Sequence, residues 1–148
     1  MNVLFFDTET TGIKSYRNPG FIPELVQLGA ILFDTDTQRV LAEVNLIVEN
    51  EGSSIPVEAS NVHGITTEMM HKYGQSISLI DSLFAKLVTD AHLIVAHNIE
   101  FDLDIVKDNL SYSHKTITDK LAAGNFGKFC TMEASTSVLK LPLSAAQV

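Results

Sequence analysis

The sequence is poor in cysteine, in basic residues and in long apolar runs, and each shortage excludes a class of protein. The single cysteine, Cys130, excludes an intrachain disulfide and is typical of a reducing compartment. Ten Lys and Arg residues stand against 18 Asp and Glu residues, which gives a net charge of −8. This charge argues against a nonspecific, basic nucleic-acid binder, but it is compatible with an enzyme that meets phosphates through bound cations.

No apolar segment approaches the roughly 20 residues that a membrane-spanning helix needs. The N-terminal apolar run lacks a basic start and is interrupted by Asp7, so we expect no secretory signal peptide. We therefore expect a cytoplasmic protein with no membrane partner. A length of 148 residues, of which 45% are hydrophobic, is typical of one globular domain with a substantial core.

The hydrophobic periodicity predicts an α/β fold. Short apolar or alternating segments predict strands over residues 2–7, 24–34, 39–48, 92–96 and 127–131. Patterns with helical spacing or helix-start residues cover residues 55–62, 66–74, 76–91, 100–122 and 132–139, and residues 11–23 form a loop rich in Gly and Pro. A three-stranded meander followed by β-α-β units predicts a mixed sheet with helices packed against it.

The first predicted strand ends in the segment FFDTETTG, which places two carboxylates beside each other. Asp7 and Glu9 are two residues apart, so they share one face of the strand, with Thr8 on the other. Two unpaired carboxylates this close repel each other, and a divalent cation such as Mg²⁺ or Mn²⁺ would relieve the conflict. A purely structural alternative, in which Asp7 caps a turn and Glu9 is merely exposed, fits these residues equally well.

A third carboxylate follows the predicted strand of the segment HLIVAHNIEFD. Asp102 lies in the first turn of a predicted helix, where the helix dipole alone favours an acidic residue. If strands 2–7 and 92–96 are parallel neighbours, however, their carboxyl ends meet at one edge of the sheet. Asp102 would then face Asp7 and Glu9, and three carboxylates would surround one or two metal ions, an arrangement suited to phosphodiester chemistry.

His63 and Gly64 lie at a break between two short predicted helices. The functional interpretation is a loop in which His63 hydrogen-bonds or stacks on a bound nucleotide. The structural interpretation is a helix that ends in His followed by a stop Gly, and taken alone this second interpretation is favoured.

Together these segments resemble the DEDD family of 3′→5′ exonucleases. FFDTETTG is similar to the family's first motif, and VAHNIEFD is similar to its second, H-N-x-x-F-D. VHGIT resembles a His-Gly-Ile segment of the epsilon-type proofreading subunits of bacterial DNA polymerase III, and FCTM resembles the strand and helix start that follow in the same group. The resemblance runs in the right order from residue 2 to about residue 140.

The resemblance implies an RNase H-like fold with a five-stranded mixed sheet and two ions, Mg²⁺ or Mn²⁺, held by Asp7, Glu9 and Asp102. It implies hydrolysis of terminal phosphodiesters to nucleoside 5′-monophosphates, with DNA favoured over RNA. The implied partners are a single-stranded 3′ end and a DNA polymerase. Residues expected to contact or position the terminal nucleotide are Thr10, Thr11, Gly12, Glu58, His63, Asn98 and Phe101.

One part of the family pattern is missing. The His subgroup carries a third motif, H-x-x-x-x-D, which supplies a general base and a fourth acidic ligand, yet residues 133–148 contain no His and no Asp. His114 and Asp119 have this spacing, but they precede the last predicted strand and so belong to the wrong element. We therefore expect a single exonuclease-like domain over residues 1–148 that is incomplete at its C-terminus.

Two other functions compete with exonuclease activity. One is a catalytically impaired relative that acts as a nucleic-acid-binding or structural module. The other is an endonuclease on the same fold, which the two motifs disfavour because they are typical of cleavage from an end.

Overall fold

The predicted strands form one mixed sheet in the computed structural model, which describes residues 1–139. The strands are β1 (Asn2–Thr10), β2 (Leu25–Asp34), β3 (Arg39–Glu49), β4 (Gln75–Ser76), β5 (Leu93–Ala96) and β6 (Gly127–Cys130). Their order across the sheet is β4-β3-β2-β1-β5-β6. The antiparallel meander of β1, β2 and β3 is confirmed. Six strands form instead of the expected five, because the two-residue β4 pairs with the end of β3 and is too short to leave a periodic pattern.

The described helices are α1 (Val57–His63), α2 (Thr67–Tyr73), α3 (Ile77–Asp90), α4 (Ile99–Asn109), α5 (Ser111–Ala122) and α6 (Thr131–Leu139). Three of their boundaries follow local capping rules. The side chains of Thr66 and Ser76 accept hydrogen bonds at the starts of α2 and α3, and Gly64 ends α1 with a φ of 77°. Within residues 1–139, no helix has the length and apolar character that crossing a membrane requires.

The single long helix expected over residues 100–122 is wrong, because the chain breaks it into α4 and α5 at Leu110. Leu110 has non-helical backbone angles, φ −123° and ψ 76°, and its side chain is fully buried. Asp81 of α3 then accepts hydrogen bonds from the backbone N–H groups of Tyr112 and Ser113, at 3.1 and 2.8 Å. An acidic side chain from another helix thus caps the start of α5, and helical periodicity contains no signal for such a contact.

The two faces of the sheet differ in what packs on them. Even-numbered β1 residues such as Phe6 point into the main core, where the Phe6 ring lies 5.2 Å from that of Phe84 in α3. We call this side the covered face. We call the opposite side of the sheet the open face. On this face Phe5 of β1 lies next to Ile31 of β2, and Phe129 of β6 lies on the far side of β5 in the same register. Phe5, Ile31 and Phe129 are 44%, 39% and 47% exposed.

The relation between β1 and β5 decides where the functional side chains meet. The two strands are parallel neighbours, with Phe5 opposite Val95, and this is the condition under which Asp102 was expected to face Asp7 and Glu9. Their carboxyl ends therefore lie at the same edge of the sheet. Because α4 begins at Ile99, shortly after β5 ends, the first turn of α4 is brought beside the end of β1.

Candidate active site

A cleft of about 590 Å³ lies at the carboxyl ends of β1 and β5. Its walls come from β1, the loop after β1, helix α1, the end of β5 and the start of α4. Seven of the ten residues predicted for the site line it: Asp7, Glu9, Thr10, Gly12, His63, Phe101 and Asp102. Residues separated by more than 90 positions in sequence thus meet in one cavity.

Asp7 and Glu9 project from the open face of β1, as their spacing predicted. The strand continues to Thr10, so both carboxylates belong to the last hydrogen-bonded residues of the strand and not to the following loop. Asp7 is exposed and Glu9 is half-buried. Burial and the charge of Asp7 raise the pKa of the Glu9 carboxyl, and the nearby His63 opposes that rise. The charge of Asp7 therefore acts on the Glu9 carboxylate.

Asp102 lies deeper and makes its direct contacts with Thr8, not with Asp7 or Glu9. Its side chain is 2% exposed, and its Oδ1 accepts hydrogen bonds from the Thr8 hydroxyl at 2.7 Å and from the Thr8 N–H at 3.2 Å. Burial raises the pKa of Asp102 to about 7; the Thr8 hydrogen bonds oppose this rise and the charge of Asp7 adds to it. No hydrogen bond from residues 1–139 reaches the other oxygen, Oδ2.

Thr8 is therefore a site residue that the sequence reasoning missed. Strand alternation correctly placed it on the face opposite Asp7 and Glu9, where it is 6% exposed. No role was predicted for it there. The structure instead uses the buried hydroxyl to fix one oxygen of Asp102. A buried polar residue between two site acids is a weak signal that sequence alone could have offered.

The three carboxylates suit a divalent metal in donor chemistry but do not form a preassembled site. With the side chains as they stand, no three acidic, His or Cys residues among residues 1–139 lie close enough together to hold an ion. Their oxygens are the hard donors that Mg²⁺ and Mn²⁺ prefer. The raised pKa values of Glu9 and Asp102 also show that negative charge accumulates here at a cost, which a cation would offset. The metal-ligand roles of Asp7, Glu9 and Asp102 stay a prediction.

His63 links α1 to the end of β1. Its Nδ1 accepts a hydrogen bond from the N–H of Ile65 at 3.1 Å, so Nε2 carries the proton of the neutral ring and donates to the carbonyl of Thr10 at 3.2 Å. Both ring nitrogens are thus engaged by backbone groups. The ring face, and not a nitrogen, is what His63 presents to a ligand in this arrangement.

Three predicted residues do not line the cleft: Thr11, Glu58 and Asn98. The hydroxyl of Thr11 accepts a hydrogen bond from the N–H of Glu24 at 2.9 Å. Glu58 is exposed in the first turn of α1. Asn98 has a left-handed backbone, φ 60°, at the turn into α4. Their expected contacts with a nucleotide stay predictions, and the structure gives Thr11 and Asn98 evident roles in shaping the chain.

Among the other lining residues that were not predicted for the site are two polar ones, His97 and Thr131. The Nδ1 atom of His97 lies 3.0 Å from the Thr131 hydroxyl, which connects the end of β5 to the start of α6. His114 and Asp119, which have the spacing of the third motif, lie on α5 away from the cleft, and Asp119 pairs with Lys115 at 2.7 Å. The part of the expected motif region beyond residue 139 lies outside the described residues.

Sequence comparisons identify the family to which the chain belongs. A family model described as Exonuclease, RNase_T, matches residues 4–140. A DNA polymerase III subunit epsilon-like protein of Rhodobacter capsulatus is 36% identical over 107 residues, which are 72% of this chain and 14% of that protein. The DNA polymerase III subunit epsilon of Treponema pallidum is 26% identical over 110 residues, 74% of this chain and 46% of that subunit. The chain thus spans less than half the length of these relatives.

Solved structures resemble the fold. Exonuclease I of E. coli in complex with a dT13 oligonucleotide superposes with a TM-score of 0.65 and 16% identity, over 97% of this chain and 31% of that one. A product-bound structure of exonuclease I gives a TM-score of 0.69 and 16% identity, over 98% of this chain and 35% of that one. At this identity the likeness confirms the α/β, RNase H-like architecture.

Proposed function

The chain belongs to the exonuclease family whose model matches residues 4–140, and on that premise we propose that it hydrolyses terminal phosphodiesters of nucleic acid in the 3′→5′ direction. The products are nucleoside 5′-monophosphates, and DNA is the favoured substrate. The observation that carries the proposal is the meeting of Asp7, Glu9 and Asp102 at one cleft. Their strand-end position is where α/β sheets bind ligands.

Asp7, Glu9 and Asp102 would hold Mg²⁺ or Mn²⁺ through their carboxylate oxygens. Such ions supply an activated water and stabilise charge on the attacking and leaving oxygens. The chain's own part is to position the acids. Thr8 holds Oδ1 of Asp102 at 2.7 Å and leaves Oδ2 without a protein donor among residues 1–139, so that oxygen is available to a cation.

The remaining lining residues shape a pocket for the terminal nucleotide. The hydroxyl of Thr10 donates to the carbonyl of Gly12 at 2.6 Å, which tightens the turn out of β1. A Cβ at Gly12 would lie 3.1 Å from the ring of Phe21, so the absence of a side chain lets the loop pack closely there. Phe101 and the ring of His63 give the cleft apolar surfaces on which a base can stack.

The experiment is a nuclease assay on the chain with a 5′-labelled single-stranded oligonucleotide. We expect stepwise shortening from the 3′ end in Mn²⁺ or Mg²⁺, 5′-mononucleotides as products, and no reaction in EDTA. Asp7→Asn should reduce the rate by about 100-fold or more, since a metal ligand is lost. Glu43→Gln is the matched control, because Glu43 is also an exposed carboxylate of the open face but does not line the cleft.

A second function has one observation in its favour. Among residues 1–139, no three acidic, His or Cys side chains already lie close enough together to hold an ion. The alternative is a binding module with impaired catalysis. Binding of Mn²⁺ and a single strand without any mononucleotide release, beside an active control enzyme, would favour this alternative over exonuclease activity.

We also propose that the domain works beside a DNA polymerase. Support comes from the names of the relatives, which are epsilon or epsilon-like subunits of DNA polymerase III. Co-purification of a tagged chain with the replicative polymerase of its own cell, retained in the Asp7→Asn variant, would test this association independently of catalysis.

A further inference from the structure

The loop between β1 and β2 is an ordered structure closed at its base. Thr11 and Glu24 exchange hydrogen bonds: the Thr11 N–H donates to the Glu24 carbonyl at 3.0 Å, and the Glu24 N–H donates to the Thr11 hydroxyl at 2.9 Å. The chain ends of the loop are therefore adjacent, as in the compact Ω-loops that often carry function. We call residues 12–23 the β1–β2 loop.

The β1–β2 loop is fastened to α4, the helix that carries Asp102. The ammonium group of Lys14 lies 2.7 Å from Asp108 and 3.9 Å from Asp104. At the far end of the loop, the side-chain amide of Asn109 donates to the carbonyl of Pro23 at 3.1 Å. These contacts hold the loop along α4, next to the cleft that its first residues line.

The tip of the β1–β2 loop presents an aromatic ring and a cation together. A turn from Ser15 to Asn18, closed by a 3.2 Å backbone hydrogen bond, places Tyr16 and Arg17 at its centre. Tyr16 is 86% exposed, and the Arg17 guanidinium lies 5.8 Å from the centre of its ring. No acidic side chain among residues 1–139 forms an ion pair with Arg17.

In a chain of net charge −8, Arg17 is one of four Lys and Arg side chains among residues 1–139 without an ion pair or hydrogen bond. Most other basic side chains that the structure describes have protein partners: Lys14, Lys86, Lys115, Lys120 and Lys128. Ile13 lines the cleft, and Tyr16 follows three residues later, so their Cα atoms are at most about 11 Å apart. An exposed aromatic beside an unpaired Arg is the combination that binds single strands without sequence preference, by base stacking and phosphate contact.

We propose that Tyr16 and Arg17 form a second binding site for single-stranded nucleic acid, which holds the strand upstream of the 3′ nucleotide in the cleft. A base stacks on Tyr16 and a phosphate contacts Arg17, and the anchored loop holds both in place. The proposal rests on the proposed function, since it takes the cleft to receive the 3′ end. It predicts that affinity rises with strand length until the strand reaches the loop tip.

Fluorescence anisotropy tests this with 5′-fluorescein oligothymidines of 2 and 12 residues, each with a phosphorothioate 3′ linkage, in Ca²⁺. We expect the Tyr16→Ala/Arg17→Ala variant to bind the 12-mer about tenfold or more weakly than the parent, since one stacking contact and one phosphate contact are lost. The 2-mer should lose little. Arg17→Ala alone should lower the magnitude of the salt slope for the 12-mer by about 0.7.

A matched control is present in the chain. Tyr73 is 56% exposed, with Lys72 lying 5.3 Å from the centre of its ring, and neither residue lines the cleft. Lys72→Ala/Tyr73→Ala likewise removes one cation and one aromatic ring, at the end of α2. We expect it to bind the 12-mer as the parent does, so equal losses in the two double variants would overturn the assignment to the loop.

Equal affinity of the parent and the Tyr16→Ala/Arg17→Ala variant for the 12-mer, or no binding of the 12-mer by the parent, would also overturn the proposal. The proposed function is tested separately by the parent's hydrolysis of the nitrophenyl ester of thymidine 5′-monophosphate in Mn²⁺, which needs no upstream strand. Hydrolysis with loop-independent binding refutes only the second site. Loop-dependent binding without hydrolysis supports the second site and refutes the exonuclease activity.

Discussion

The two faces of β1 have different roles, because one packs against the core and the other carries accessible acids of the candidate site. On the covered face, Phe6 packs into the core and Thr8 holds the carboxylate of Asp102. On the open face, one residue away in each case, Phe5 is 44% exposed and Asp7 is exposed. Because residues on a strand alternate between faces, a single strand can anchor the fold with one set of side chains and offer reactive groups with the other.

The comparison also shows why the acids occupy these positions. Asp7 on the open face is exposed to water, so it adds little to or subtracts little from the free energy of unfolding, whereas burial raises the pKa of the half-buried Glu9. Asp102 comes from the covered side, where burial disfavours its charged form and raises its pKa to about 7. The cleft therefore combines two accessible acids with one buried acid whose charge is unfavourable until a cation binds.

The largest expected effect compares Phe6→Ala with Phe5→Ala in urea-induced unfolding. Phe6 is 5% exposed and contacts Phe84, so truncation leaves a cavity and should cost about 3–5 kcal/mol of unfolding free energy. Phe5, its neighbour on the open face, should cost about 1 kcal/mol or less. Similar losses for both variants would show that the open face is covered in solution.

The next effect concerns the buried acid. The pKa of Asp102 is about 7 in the folded protein and near 3.8 in the unfolded chain. Between these pH values the folded protein holds a proton on Asp102 that the unfolded chain has released. The metal-free stability therefore falls as the pH rises from about 4 to 7. Asp102→Asn removes this penalty. In EDTA at pH 8 the variant should be more stable than the parent by about 2–4 kcal/mol, with the gap closing towards pH 4.

Thermal unfolding at several pH values measures that gap. At pH 8, added Mn²⁺ should raise the melting temperature of the parent and leave that of Asp102→Asn nearly unchanged. A stability difference that does not vary with pH would contradict the burial of an ionisable Asp102.

A smaller effect is expected for Thr8. Thr8→Val keeps the shape and strand preference of the side chain but removes the hydroxyl that donates to Asp102, which should cost about 1–2 kcal/mol above pH 7. It should also raise the pKa of Asp102 further, because the Thr8 hydrogen bonds lower it. Thr8→Ser retains the hydroxyl donor and serves as the control. Carbon-detected NMR titration of the Asp102 carboxyl measures its pKa in each variant. An unchanged titration in Thr8→Val would refute this positioning role.

The smallest effect on stability should come from Asp7→Asn. Since Asp7 is exposed and accepts no hydrogen bond from another side chain of residues 1–139, we expect a change within about 0.5 kcal/mol in the absence of metal. Calorimetry should nevertheless show weaker Mn²⁺ binding than in the parent or in Glu43→Gln. A large loss of stability would place Asp7 among the structural residues and would end the contrast between the two faces.

The pattern of this chain was sufficient for the α/β class, the meander and the shared face of Asp7 and Glu9. The parallel pairing of β1 with β5 was a condition that the structure meets, and most of the seven predicted residues that line the cleft were named from the family resemblance. The features that the pattern predicted follow from short-range information. Period-two alternation sets which β1 residues share a face, and a strand that runs directly into a helix fixes the edge at which Asp102 emerges.

Tertiary contacts decided the rest. The break at Leu110 depends on Asp81, which lies 31 residues away from Tyr112, and the hold on Asp102 depends on Thr8, 94 residues away. The same is true of the fastening of the β1–β2 loop to α4 through Lys14. The sequence by itself determined which chemical groups stand at the strand end, because spacing and periodicity are local; only the folded chain decided which polar groups hold them, because such pairings form when distant segments pack.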